Sequence, residues 1–239
     1  MSGPGVSAMD GRVMLVTGGT GALGSAVSLA ALHAGATVVV TYRHEREWRA
    51  LADRAPQGSR EGLQGVQSDV TNGDSVRRLI DEVTARHGRL DALINAVGGF
   101  AGGDLLATDE HAWDAMLTLN LRSAFLCCRA VLPTMLAAGR GRIVNVASRS
   151  VVPPAGGFLG YTVAKAGVIA LTQALAQEVR GRGVTVNAVL PSTMDTEANR
   201  RAMPTSDRKG WVAPESVARV ILFLASDAAA DVTGTLLAV

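Results

Sequence analysis

Short runs of β-branched and other apolar residues alternate with longer stretches of helical periodicity along the whole chain. RVMLVTG reads as a buried strand and residues 21–34 as the helix after it. TVVVTY is a second strand, followed by RHEREWRALADR, in which Trp48, Leu51 and Ala55 fall at helical spacing. Residues 62–69 offer a third strand. Thr71-Asn72-Gly73-Asp74 reads as a capping box, opening a helix that carries Val76, Leu79, Ile80 and Val83 on one face. LDALINAVGG is a fourth strand running into glycines. Thr108 is placed to cap the next helix, and a long apolar helix is expected from about Leu119 to Leu136. GRIVNVAS, a helix over 161–180, VTVNAVLP, a helix over 214–225 and a closing strand in TGTLLAV complete the series. Continuous apolar strands separated by helices predict an α/β domain, with a parallel sheet of about seven strands covered by helices on both faces.

In such a sheet ligands sit beyond the carboxyl ends of the strands, where the strand order reverses. The polar oddities of this chain fall there. Glycines follow the first strand, Arg43 the second and Asp69 the third. Asn95 to Gly99 follow the fourth, Ser148 the fifth, and Pro191 to Thr196 the sixth.

The glycine stretch, TGGTGALG, has two registers. Gly19, Gly21 and Gly24 make G-x-G-x-x-G; Thr17, Gly18 and Gly24 make T-G-x-x-x-G-x-G with Ala22 in place of a glycine. Either register, between a strand and a helix start, suits a nucleotide phosphate. Tyr161 and Lys165 are the second motif, four apart on one helix face. A positive charge about 5 Å from a phenol, at an effective dielectric of about 20, is worth ~3 kcal/mol, or about two pKa units. Lys165 is therefore expected to draw Tyr161 towards neutrality, with Ser148 offering a hydroxyl to the same substrate oxygen.

Composition narrows the field. The chain has 239 residues, 48% of them apolar, which suits one domain spanning 1–239 with a sizeable core. No internal repeat, low-complexity tract or linker divides it. A net charge of +2 and no basic stretch interleaved with aromatics give no footprint for nucleic acid. Arg200 and Arg201 read as solvated surface. Residues 1–11 read as a flexible tail with neither the basic nor the apolar region of a signal peptide. No uninterrupted apolar run is long enough to cross a membrane. Cys127 and Cys128, the only cysteines, suit buried thiols in a reducing, cytoplasmic setting. The histidines (His33, His44, His87, His111) show no metal-ligand spacing, so no metal is expected.

Taken in order, these motifs resemble the short-chain dehydrogenase/reductase family in its single-domain form, from Arg12 to about Val239. The resemblance implies a Rossmann-type doubly wound fold and a nicotinamide dinucleotide. Its cofactor site would be drawn from Gly18, Thr20, Gly21, Leu23 and Arg43, from Asp69-Val70 near the adenine, and from Asn95, Ala96 and Gly98. Tyr161, Lys165, Pro191, Met194 and Thr196 would complete it, the last two holding the carboxamide. It further implies that Tyr161 is the acid/base, that Ser148 orients the substrate oxygen, and that Lys165 lowers the Tyr161 pKa. Asn120, in NLRSAF, would position a water relaying protons to Lys165. Three departures stand out: Ala22 in the turn, Asn95-Ala96-Val97-Gly98 in place of N-N-A-G, and Ser192 where a glycine follows the proline.

Where an NAD site would place a carboxylate, this chain has Tyr42 followed by Arg43, so NADP(H) is expected as the preferred cofactor, with NAD(H) remaining open. Residues 192–213 are expected to form a short substrate lid, with Phe100, Val151 and Phe158 lining an apolar pocket. A register using Gly18, Gly21 and Gly24 resembles the sugar-nucleotide epimerases, but too little chain follows Pro191 for their substrate region. DTEANRRAMP followed by a tryptophan is similar to the dihydropteridine reductases, which leaves a pterin substrate as the alternative to a carbonyl or alcohol. A non-catalytic nucleotide sensor would normally lack the tyrosine or the lysine. Two helices apolar on more than one face, around Phe125 and Ile169, suggest a homodimer or homotetramer.

Overall fold

The computed structural model describes residues 9–239. Seven parallel strands form one sheet in the order β3-β2-β1-β4-β5-β6-β7. They are β1 (Val13–Thr17), β2 (Thr37–Tyr42), β3 (Leu63–Gln67), β4 (Ala92–Asn95), β5 (Gly141–Val146), β6 (Val184–Leu190) and β7 (Leu236–Ala238). Between them run α1 (Ala22–His33), α2 (Glu45–Arg54), α3 (Gly73–His87), α4 (Glu110–Leu117), α5 (Ser123–Ala137), α6 (Leu159–Glu178), α7 (Glu197–Ala202) and α8 (Pro214–Ala225). This is the doubly wound Rossmann-type arrangement expected, with its switch point between β1 and β4.

The alternation of side chains along each strand divides the core in two. Met14 and Val16 of β1 pack with Val27 and Ala31 of α1 and Val217 and Ile221 of α8. Val13 and Leu15 face the other way, onto Leu79 and Val83 of α3 and Val131 and Met135 of α5. Two helical stretches, Glu110–Ala137 and Leu159–Glu178, are long and apolar enough to cross a membrane by length and composition. Here they cover the sheet: α6 buries Ala164, Val168, Thr172 and Ala176.

Several local expectations need correction. Most of the expected N-terminal tail lies outside the described residues, but its inner end does not. Met9 is fully buried, and its N–H donates to the Ala34 carbonyl at 2.7 Å. The cap of α3 is Asn72, whose Oδ1 accepts from the N–H groups of Asp74 and Ser75, each at 3.0 Å. Thr71 instead donates its hydroxyl to Asp69 Oδ1 at 2.7 Å. The cap of α4 is Asp109, not Thr108, which bonds back to the Asp104 carbonyl. The long helix expected from Leu119 begins earlier, at Glu110, and passes through a π turn over Thr118–Arg122 before continuing as α5.

At the amino ends of the strands Asp91, almost fully buried, accepts two bonds of 2.8 Å from Arg89, one of 2.5 Å from Arg140 and one of 2.9 Å from the Val13 N–H. This clamp joins β1, β4 and β5 at the edge opposite the candidate site.

Candidate active site

The site begins where β1 ends. Gly18 has φ +64° and donates its N–H to Thr41 Oγ1 at 2.9 Å. A Cβ on Gly19 would stand 2.4 Å from the Val40 Cβ, and one on Gly24 would stand 2.1 Å from the Gly18 carbonyl oxygen. Both glycines are therefore demanded by close backbone approach. Ala22 points outward and costs nothing, which favours the T-G-x-x-x-A-x-G register. Helix α1 opens with no side-chain cap and no acidic residue in its first turn. Its leading N–H groups and the positive end of its dipole fit a dinucleotide pyrophosphate. Gly21 lies exposed at this edge, the Leu23 side chain is buried beneath it, and the Thr20 hydroxyl donates to Glu47 at 3.2 Å.

Beyond β2 the Arg43 guanidinium lies 3.5 Å from Asp69 Oδ1, both side chains being more than half exposed. Hydrogen bonds from Thr71 hold the Asp69 carboxyl below its ordinary pKa, assisted by the charge of Arg43. Tyr42 turns away and stacks on Trp48, ring centres 5.9 Å apart. The side chains of Val70 and Asn95 belong to the core. Val70 packs with the α3 layer. Asn95 donates to Asn145 Oδ1 at 2.8 Å and to Cys128 Sγ at 3.3 Å. Ala96 N–H is tied to Thr17 Oγ1 at 3.2 Å, which joins the exits of β1 and β4.

The π turn carries Asn120, buried to 1% exposure. Its amide exchanges two bonds with the Gly99 backbone, each 3.1 Å, and donates to the Met116 carbonyl at 3.1 Å. A Cβ on Gly98 would sit 2.8 Å from Asn120 Oδ1 and 3.2 Å from Lys165 Nζ, so both polar groups converge over that residue. Lys165, on α6, is 5% exposed and donates to the Val146 carbonyl at 2.7 Å. Burial lowers its pKa to about 8.

Tyr161, one turn earlier, departs from expectation. Burial raises its phenol above the ordinary value and the Ser148 hydroxyl pulls it partly back. Lys165, expected in that role, does not lower it, because desolvation penalises phenolate and ammonium alike. Ser148 is buried at the end of the β5 segment, and its Oγ lies 2.9 Å from the Ser150 hydroxyl. Ser150 escaped the sequence reading, although its spacing from Ser148 in SRS was visible there.

Over Tyr161 lie Phe100 and Phe158, with ring centres 5.1 and 6.2 Å from it. Val151, expected beside them, is buried instead. Met194 forms a bridge to Val212, and the Pro191 carbonyl accepts a bond from the Arg149 N–H at 3.0 Å. The Thr196 hydroxyl caps α7 by accepting from the Asn199 N–H at 3.2 Å. The Cys127 and Cys128 thiols are buried and their pKa values pushed up, that of Cys128 to about 12, so they are held protonated in the core.

A phosphate-ready helix start at the switch point, and a serine, tyrosine and lysine gathered at the ends of β5 and α6, define a dinucleotide-dependent class of α/β oxidoreductase. Residues 12–207 match the short chain dehydrogenase model, and the chain belongs to the short-chain dehydrogenase/reductase family. It is thus an oxidoreductase acting on CH–OH and C=O groups. It is 33% identical to a 3-oxoacyl-[acyl-carrier-protein] reductase of Thermotoga maritima, over 97% of each chain. It is 35% identical to a D-threitol dehydrogenase of Mycolicibacterium smegmatis, over 95% of this chain and 90% of that protein. A crystal structure of a putative short-chain dehydrogenase/reductase from Burkholderia xenovorans superposes with a TM-score of 0.86 at 34% identity, covering 98% of this chain and 96% of that one.

Proposed function

We propose that the protein reduces a ketone or 3-oxoacyl thioester with NADPH. The observation that carries this reading is the pairing of Ser148 with Tyr161, whose ring Phe100 meets edge-on, one helical turn from Lys165, whose Nζ reaches the Gly98 backbone beside Asn120. When bound, the nicotinamide cofactor supplies the hydride that reaches the carbonyl carbon. Tyr161 then gives its proton to the developing alkoxide, and Ser148 holds that oxygen by a hydrogen bond. Lys165, protonated below about pH 8, supplies a proton to recharge the phenol. A water held at Asn120 connects Lys165 to solvent. The exposed Arg43 guanidinium favours a 2′-phosphate, since Asp69 at 3.5 Å leaves it donors to spare. Similarity to 3-oxoacyl carrier-protein reductases supports a thioester, and Phe100 and Phe158 offer its acyl chain an apolar wall.

Two copies pair through α5 and α6, giving a homodimer or a tetramer of such dimers. An apolar hollow of about 480 Å³, lined by Leu117, Leu121, Phe125 and Leu171 on that face, supports the pairing. Two buried, protonated thiols suit a reducing cytoplasm.

The test is oxidation of NADPH and NADH in parallel, with a 3-oxoacyl thioester, a small diketone and a quinonoid dihydropterin. Carbonyl turnover with NADPH is expected. Dihydropterin turnover with NADH would replace this reading by a pterin reductase.

A further inference from the structure

The hydroxyl of Ser148 has more neighbours than its chemistry can serve indifferently. The Ser150 N–H points at it from 3.3 Å, the Ser150 hydroxyl lies 2.9 Å away, and Tyr161 is close enough for Ser148 to act on its phenol. A serine oxygen carries one proton and two lone pairs. The Ser150 N–H takes one lone pair. During carbonyl reduction the single Ser148 proton must point at the substrate oxygen, and so must the proton of Tyr161, because that oxygen receives it.

One lone pair on Ser148 is then left over. Unfilled, it competes with the substrate for the Tyr161 proton, since the acid would hydrogen-bond to serine instead. The hydroxyl of Ser150, at 2.9 Å, is placed to fill it. A donor entering Ser148 also polarises the outgoing O–H, which strengthens the bond to a developing oxyanion.

We infer that Ser150 is a positioning residue: its hydroxyl donates into Ser148, so that the Ser148 proton faces the substrate and the Tyr161 proton cannot be captured by Ser148. No bond to substrate is made by Ser150 itself. Its backbone is held independently of the hydroxyl, through the Ala155 N–H bond to its carbonyl at 2.9 Å and the adjoining Val152–Arg149 turn bond at 3.0 Å. Removing the hydroxyl therefore leaves the turn in place.

The inference rests on the reductase reading, and the experiment separates the two. Wild type, Ser148→Ala, Ser150→Ala and Ser150→Thr are compared for kcat, KM of a carbonyl substrate, NADPH affinity by fluorescence quenching, and the solvent deuterium isotope effect. Ser150→Ala is expected to lose about tenfold in kcat, the scale of one hydrogen bond, with KM and NADPH affinity within about twofold of wild type. Its solvent isotope effect rises, because proton transfer becomes slower relative to the other steps. Ser150→Thr restores kcat, having kept a hydroxyl at the same place. Wild-type kcat in Ser150→Ala, or a loss that threonine fails to restore, overturns the proposal. A wild type inert to every carbonyl compound overturns the reductase reading and this inference with it.

Discussion

Gly98→Ala tests the geometry of the site with a single carbon atom. A Cβ at this position would stand 2.8 Å from Asn120 Oδ1 and 3.2 Å from Lys165 Nζ. The backbone at Gly98 does not have positive φ, so conformational strain contributes nothing and the effect is steric. Oδ1 must retreat by roughly half an ångström to reach ordinary contact. Its two bonds with the Gly99 backbone are already 3.1 Å long, so the retreat breaks or badly weakens both. At about 1 kcal/mol each, the loss is about 2 kcal/mol. For a domain of this size that corresponds to a fall in Tm of roughly 4–8 °C. Lys165 must give a few tenths of an ångström as well, disturbing its bond to Val146. Misplacement on that scale near reacting groups costs up to about a hundredfold in kcat/KM. Calorimetry and steady-state kinetics on the purified variant read both quantities. A Tm and a kcat/KM indistinguishable from wild type would refute the convergence of Asn120 and Lys165 over Gly98.

Three further outcomes follow from the same geometry. Arg43→Ala raises KM for NADPH about tenfold while leaving that for NADH nearly unchanged, as loss of a charge-assisted bond to a 2′-phosphate requires; equal effects on the two cofactors would remove Arg43 from the phosphate site. Burial opposes the charge of Asp91, but its bonds to Arg89, Val13 and Arg140 leave its pKa below the ordinary value. The stability this contributes is present above the unfolded pKa, near ~3.9, and is lost as pH falls through the folded value. Asp91→Asn should therefore flatten the acid limb of the stability curve, and an unchanged limb would refute the clamp. Lys165 has a folded pKa of about 8 against an unfolded value near ~10.4, so the unfolded chain binds the extra proton between them and stability rises with pH there. Carbonyl reduction should fall above about pH 8 as Lys165 loses its charge, and a rate constant flat to pH 10 would exclude it from the proton path.

The parallel sheet could be read directly from the chain because a strand buried on both faces needs an uninterrupted apolar run, as in VMLVT and TVVVT, and little else in a protein does. The positions of Tyr161 and Lys165 were legible for a similar reason, since helical spacing alone puts residues four apart on one face. Caps were less legible. Thr71 and Asn72, or Thr108 and Asp109, are equally good capping types side by side, and one residue of difference in where the chain turns selects between them. The π turn at Asn120 leaves no compositional mark, because it is a change of hydrogen-bond register within a helix that looks continuous. Naming Asn95 for the cofactor site left open which way its side chain turns. A polar side chain at a strand end can turn either way, and Asn145 and Cys128 on neighbouring elements hold this one inward. The same holds for the protonation of the site. Spacing brings a lysine near a tyrosine, but whether charge or burial sets their pKa values depends on how much water the packed layers exclude, and that is a property of atoms far apart in the chain.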